Sequence, residues 1–231
     1  MQAFGETHTP TVSVIILSHR REMVGEAMAS VFAQTFTDYQ LVVQFCETGW
    51  GQKLNDVIRA TRGRLVCVLC DDDRLAPTYL AETIAALDGA HADLAYTDTL
   101  IFGKAPDRVD ILPAFSLDVL QKKCVPWMTG VVTRAMYDAV GGYDPHIPYA
   151  DWDFWLSCAE RGAVGVKVPL PLFHAREHDT NQANTMTQQE HSAAWLTFRI
   201  KHGWTPWGSF PKQGFPVAHT PTRETPSCAH V

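Results

Sequence analysis

Residues 59–77 read RATRGRLVCVLCDDDRLAP. Within them, Leu65 to Cys70 is an apolar run of strand length, and Asp71, Asp72 and Asp73 follow without a spacer. Pro77 then sits where a first helical residue is favoured, ahead of Leu80, Ile84 and Leu87 at helical spacing. A buried strand that ends in charge and runs into a helix is the repeating unit of an α/β sheet. Upstream, Leu54, Val57 and Ile58 mark a helix leading to Gly63, which suits a left-handed cap. Leu41 to Phe45 reads as another strand. Thr11 to Leu17 (TVSVIIL) is a β-branched buried strand, and Val24, Ala27, Met28, Val31 and Phe32 define a helix with one buried face.

Downstream the rhythm is less regular. Leu94 to Thr97 and Gly130 to Thr133 read as strands, and Asp151 to Arg161 as a helix burying Phe154, Trp155, Cys158 and Ala159. Pro169 and Pro171 are expected to break the segment after that helix, and a last helix covers Gln188 to Lys201. The expectation is an α/β fold, a mostly parallel sheet flanked by helices, as one domain over residues 1–202. Residues 203–231, rich in Pro, Gly, Ser and Thr, read as an irregular tail or lid.

At 231 residues the chain has room for one sizeable domain. Its net charge of −6 is mild and argues against a broad basic surface for nucleic acid. Residues 1–10 are polar, without the apolar stretch of a signal peptide, and no run approaches the roughly 20 apolar residues of a membrane helix. The six cysteines show no disulfide spacing. A cytoplasmic, reducing setting is therefore expected, with peripheral membrane attachment left open.

The aspartate triplet carries the chemistry. In an open α/β sheet, ligands bind beyond the carboxyl ends of the strands. Three adjacent carboxylates repel one another, and a divalent cation removes that cost. Hard oxygen ligands suit Mg²⁺ or Mn²⁺, which bind through a few carboxylates plus substrate phosphates. An acidic turn capping the helix near Pro77 fits the same residues. The triplet alone leaves both readings open.

Four blocks in order give a resemblance. They are SVIILSHRR (Ser13 to Arg21) with AMASVFAQTFTDYQLVV (Ala27 to Val43); the Arg59 to Pro77 block; GVVTRAMYDAVGGYDPHIPYADWDFWLSCAERG (Gly130 to Gly162); and PLFHAREHD (Pro171 to Asp179). From about Thr11 to Asn181 the chain resembles the family 2 glycosyltransferases, inverting enzymes of the GT-A fold, a Rossmann-like α/β architecture. The resemblance implies a metal-dependent transfer from a nucleoside-diphosphate sugar to an acceptor hydroxyl, with a nucleotide-binding half over about 11–100 and an acceptor half over about 101–202. It implies Asp151 as catalytic base. Ser18, Asp71, Asp72, Arg176 and His178 become donor contacts, and Asp72, Asp73 and His178 hold Mn²⁺ or Mg²⁺. The acceptor stays unspecified: a glycan, a lipid-linked glycan, a metabolite, a protein or a modified nucleic acid base. Phe45 and Cys46 stand where the family usually carries acidic residues that read the nucleobase, Ala150 where it usually carries a glutamate, and Leu17 and Arg20 where it has proline and asparagine.

Rival readings are weaker. Asp151 alone would also serve as a helix cap. His174, Glu177 and His178 spell H-x-x-E-H, but a zinc peptidase needs that string on a helix and PLPLF opposes one. Cys67 and Cys70, at an odd separation on a strand, fall on opposite faces and read as core thiols. Trp127, Trp204 and Trp207 suit sugar stacking or plain packing. A non-catalytic sugar-nucleotide or glycan-binding module of the same fold is the alternative function. A nucleotidyltransferase would need a glycine-rich, lysine-bearing loop after the first strand, and Ser18 to Arg21 is not one.

Overall fold

A computed structural model describes residues 8–47, 50–179, 181 and 186–203. The expected tail or lid beyond Gly203, with Trp204 and Trp207, lies outside the described residues.

Three parallel strands form the first half. They are β1 (Val12–Ser18), β2 (Tyr39–Phe45) and β3 (Leu65–Cys70), with β1 central and paired to both others. The helices α1 (Val24–Phe32) and α2 (Trp50–Ala60) connect them. Alternate residues of β1 and β3 feed two cores on opposite faces of the sheet, as a period of two requires. Val14, Ile16, Cys67 and Leu69 meet α1 on one side, while Ile15, Leu17, Val66 and Val68 meet α2 on the other. Phe32, expected on the buried face of α1, is 63% exposed, because the helix's inner stripe is already filled by Val24, Ala27 and Val31.

After β3 come β4 (Arg74–Leu75), α3 (Tyr79–Ala90), β5 (Leu94–Gly103) and β6 (Arg108–Asp110). The remaining elements are α4 (Leu117–Leu120), β7 (Val131–Thr133), α5 (Arg134–Val140), α6 (Ala150–Glu160), β8 (Gly165–Glu177) and α7 (Gln188–Lys201). The strand order is β2-β1-β3-β7-β5-β8-β4, with β6 on β5. One sheet thus runs through both halves of the chain. Its long pairings, β1 with β2, β1 with β3 and β5 with β8, are parallel, and short antiparallel pairings join them.

Several local expectations need correction. Gly63 is not a left-handed cap. The end of α2 is satisfied by Arg134, which donates to the carbonyls of Ile58 and Gly63 at 3.1 and 2.7 Å and to Thr61 Oγ1 at 2.9 Å. Glycine is needed there because a Cβ would lie 2.5 Å from the Ser13 nitrogen. Pro77 precedes α3 rather than opening it, since its carbonyl is held by the Thr35 N–H at 2.8 Å. The prolines do not stop β8. Thr97 pairs with Val168 and Thr99 with Phe173, so the strand bulges over Pro169 to Leu172 and then resumes. The missing proline N–H groups fall where no ladder bond is required.

The capping box of Thr187 and Glu190 starts α7, and its last turn docks on α6. There the buried Asp153 accepts from Lys201 Nζ at 2.7 Å and His202 Nε2 at 3.0 Å. His202 Nδ1 also reaches Glu160 at 2.9 Å, and Lys201 reaches Asp144 at 2.9 Å. Burial works against a charged His202, but the bonds to Asp153 and Glu160 outweigh it and raise its pKa above 6.5. The stabilisation is therefore complete below the unfolded value and fades as pH rises through the folded one. Asp153→Ala should cost about 3 kcal/mol in urea unfolding, by removing the buried carboxylate that Lys201 and His202 share. The gap between wild type and His202→Ala should be larger at about pH 6 than at about pH 9.

Candidate active site

The carboxyl ends of β1, β2 and β3 open into a cleft of about 790 Å³, the size of a small-molecule site. Leu17, His19 and Arg20 line it after β1, Cys46 and Glu47 after β2, and Cys70 to Asp73 after β3. Asp151 and Met128 line the opposite wall, and Arg176 and Asn181 line the end supplied by β8 and the segment after it.

The three aspartates have different environments. Asp71 is 1% exposed and accepts from Ser18 Oγ at 3.1 Å, from the backbone N–H groups of His19 and Arg20 at 3.0 and 2.9 Å, and from Arg20 Nε and Nη2 at 3.0 and 2.8 Å. Burial alone would raise its carboxyl, but the Arg20 hydrogen bonds and charge outweigh that and hold it below its ordinary value. Asp72 Oδ2 lies 2.9 Å from both Arg20 Nη2 and His178 Nε2. Asp73 is pushed well above the ordinary carboxylate range by burial and by Asp72 beside it, against the Arg176 N–H that donates to it at 2.8 Å.

The second half of β8 supplies this wall. Arg74 and Leu75 of β4 pair with His174 and Phe173, which brings Arg176 over the triplet. Arg176 Nε donates to the Asp72 carbonyl at 2.9 Å, Nη2 reaches Glu26 at 2.6 Å, and its guanidinium lies over the Phe102 ring. His174 and Glu177 lie on strand β8, and His178 is the next residue, so the H-x-x-E-H string is not on a helix.

Asp151 sits in the first turn of α6 on the other wall. Its Oδ1 accepts from the Trp152 N–H at 2.8 Å, and the Cys124 thiol lies 3.7 Å from Oδ2. Burial raises its carboxyl above 3.8, while these contacts pull it part of the way back.

The donor set fits a divalent cation. Ligand atoms of Asp72, Asp73 and Cys70 lie within 4.8 Å of one another among the described residues. The Cys70 thiol is pushed well up by burial and the three aspartates, so the oxygens are the better ligands. His178 approaches through Asp72 and is not one of that converging group.

Sequence reasoning brought Asp71, Asp72, Asp73, Asp151, Arg176 and His178 to one region, and they are together there. Ser18 is there too, but it is 1% exposed and turned to Asp71, leaving His19 and Arg20 as the cleft-lining residues of its loop. Trp127 also lines the cleft. Cys67 is a core thiol as expected, whereas Cys70 is half-buried on the cleft floor. Arg20 and Cys124 were the residues missed. The signal for Arg20 was its place at the family's asparagine. Cys124 had none, because only the fold brings it to Asp151.

No family model matches the chain, and no curated protein matches its sequence. Solved structures do match. TarS residues 1–349 from S. aureus, in complex with UDP-GlcNAc, gives a TM-score of 0.67 at 14% identity, over 83% of this chain and 66% of that one. The chain has the GT-A fold. A longer S. aureus TarS structure gives 0.60 at 14% identity over 83% of this chain, which spans only 43% of that one. The Pyrobaculum calidifontis mannosyltransferase PcManGT, in complex with GDP-Man and Mn²⁺, gives 0.53 at 14% identity, covering 85% of this chain and 62% of that one. Among the described residues no helix is long and apolar enough to cross a membrane.

The Cys124 contact makes a prediction that is independent of activity. A carbon-13 NMR titration of the Asp151 carboxyl should give a midpoint above 3.8. Cys124→Ala, which removes a hydrogen bond to the charged form, should move that midpoint further up.

Proposed function

We propose that the chain transfers a sugar from a nucleoside-diphosphate donor to an acceptor hydroxyl with inversion. The observation that carries this is one cleft with an acidic cluster on one wall and a raised-pKa carboxylate, Asp151, on the other. The solved glycosyltransferases of the same fold, with UDP-GlcNAc or with GDP-Man and Mn²⁺, support it.

In this reading the nucleotide-binding half, about 11–100, supplies the donor wall, and the acceptor half, about 101–202, supplies the base. Asp72 and Asp73 would hold Mn²⁺ or Mg²⁺, and His178 keeps Asp72 in place. A divalent ion held there would supply positive charge for the diphosphate leaving group. Asp151 takes the hydroxyl proton of the acceptor as that oxygen bonds to the anomeric carbon, and the bond from that carbon to the phosphate oxygen breaks. The nucleoside diphosphate departs with the electron pair. Attack from the face opposite the leaving group inverts the anomeric centre. Burial that raises the Asp151 pKa makes it a stronger base than an exposed carboxylate. Ser18 and Asp71 act at one remove, by fixing the loop that carries His19 and Arg20. Trp127 offers an aromatic face to the sugar or acceptor.

Release of UDP or GDP from a panel of sugar conjugates tests the reading. Asp151→Asn should lower turnover by about 10²- to 10⁴-fold with nucleotide affinity nearly unchanged. Nucleotide binding without any turnover in wild type, across donors and acceptors, would favour the non-catalytic binding module instead.

A further inference from the structure

We propose that Arg20 is a cation for the donor diphosphate built into the protein, so that nucleotide binding does not depend wholly on a divalent metal. This rests on the reading of the cleft as a nucleotide-sugar site and adds a residue to it.

The guanidinium of Arg20 lies inside the acidic cluster, with its side chain 17% exposed and on the cleft surface. Nε and Nη2 are committed, to Asp71 Oδ1 at 3.0 and 2.8 Å, and Nη2 also lies 2.9 Å from Asp72 Oδ2. Only Nη1 remains, and its one close neighbour is His178 Nε2 at 3.3 Å. That nitrogen has a shorter contact, 2.9 Å to Asp72 Oδ2. A ring nitrogen has room for at most one hydrogen from Arg20, whichever tautomer His178 adopts. Nη1 carries two hydrogens, so at least one of them is left without an acceptor among the described residues.

The other arginine of the cleft is differently occupied. Arg176 gives Nε to the Asp72 carbonyl and Nη2 to Glu26 at 2.6 Å, with Phe102 against its plane. Its charge is balanced by a glutamate outside the triplet. Arg20 therefore combines a fixed position, an unfilled donor and a place beside the proposed metal ligands. Phosphate oxygens are the acceptors that a guanidinium edge pairs with best. The ion and Arg20 would share the diphosphate. Removal of the ion would leave the Arg20 share intact.

The test is isothermal titration of the full chain with UDP and with GDP, once in excess Mn²⁺ and once in EDTA, for wild type, Arg20→Lys and Arg20→Asn. Wild type should still bind its preferred nucleotide in EDTA, more weakly than in Mn²⁺. Arg20→Asn should lose about tenfold or more in EDTA, in line with a charged hydrogen bond, and clearly less in Mn²⁺. Arg20→Lys, which keeps the charge without the fork, should fall between them. Thermal melts of each variant separate this from a loss of fold, because Arg20 also holds Asp71. Wild-type binding in Mn²⁺ that disappears in EDTA would overturn the role of Arg20 and leave the donor reading standing, with no variant required. An equal loss for Arg20→Asn in both conditions would also overturn it. No binding of any nucleotide in either condition would overturn the donor reading itself, and this inference with it.

Discussion

The Asp71 carboxylate fastens the end of β3 to the loop after β1, and the geometry of the cleft depends on it. An ionised carboxylate that is 1% exposed would be costly without compensation. Here Ser18, His19 and Arg20 surround it with donors, two of them backbone N–H groups that fix the course of the loop. The same bonds bring the Arg20 guanidinium to Asp72, which His178 holds from the β8 side. One buried charge thus organises three segments that are distant in sequence. It also explains why Ser18, although at the site, does not face the cleft.

The second wall depends on a different constraint. A β8 strand running straight alongside β5 would have no reason to approach the triplet. The bulge at Pro169 to Leu172 offsets its second half, which then pairs with both β5 and β4. Leu172 closes the turn by accepting from the Ala76 N–H at 2.8 Å, and Phe173 donates to Thr97 Oγ1 at 3.1 Å. Arg176 and His178 arrive opposite the aspartates as a result. On the far side, α6 buries Trp152, Phe154 and Trp155, and that aromatic packing presents Asp151 to the cleft.

The parts that were legible in the sequence are those governed by local periodicity. The three parallel strands emerge from their apolar runs and α1 and α2 from apolar spacing, because each buries a face that its own residues define. The strand β8 was not legible, since two prolines oppose a strand unless a bulge absorbs them, and the bulge exists only in the pairing with β5. Gly63 misled for a similar reason: its role is a close approach to Ser13 across 50 residues, and Arg134 ends the helix instead. At the site, residue types and motif order brought the aspartates, Arg176, His178 and Asp151 together. The thiol beside Asp151 and the arginine within the triplet belong to tertiary contacts that no local pattern encodes.

The triplet itself shows what environment adds to composition. Three identical side chains in a row suggest three equal ligands. Asp71 is held ionised by Arg20, Asp73 is pushed by burial towards keeping a proton, and Asp72 lies between them in contact with Arg20 and His178. The cluster is therefore nearer to charge balance than its sequence implies. That would matter for the diphosphate of the proposed donor, which an uncompensated row of carboxylates would repel. Coulombic repulsion between unit charges a few ångströms apart is several kcal/mol at an effective dielectric of about 20. Under the proposed reading Arg20 would lower that barrier without a metal, and an ion would add to charges already arranged around the cleft.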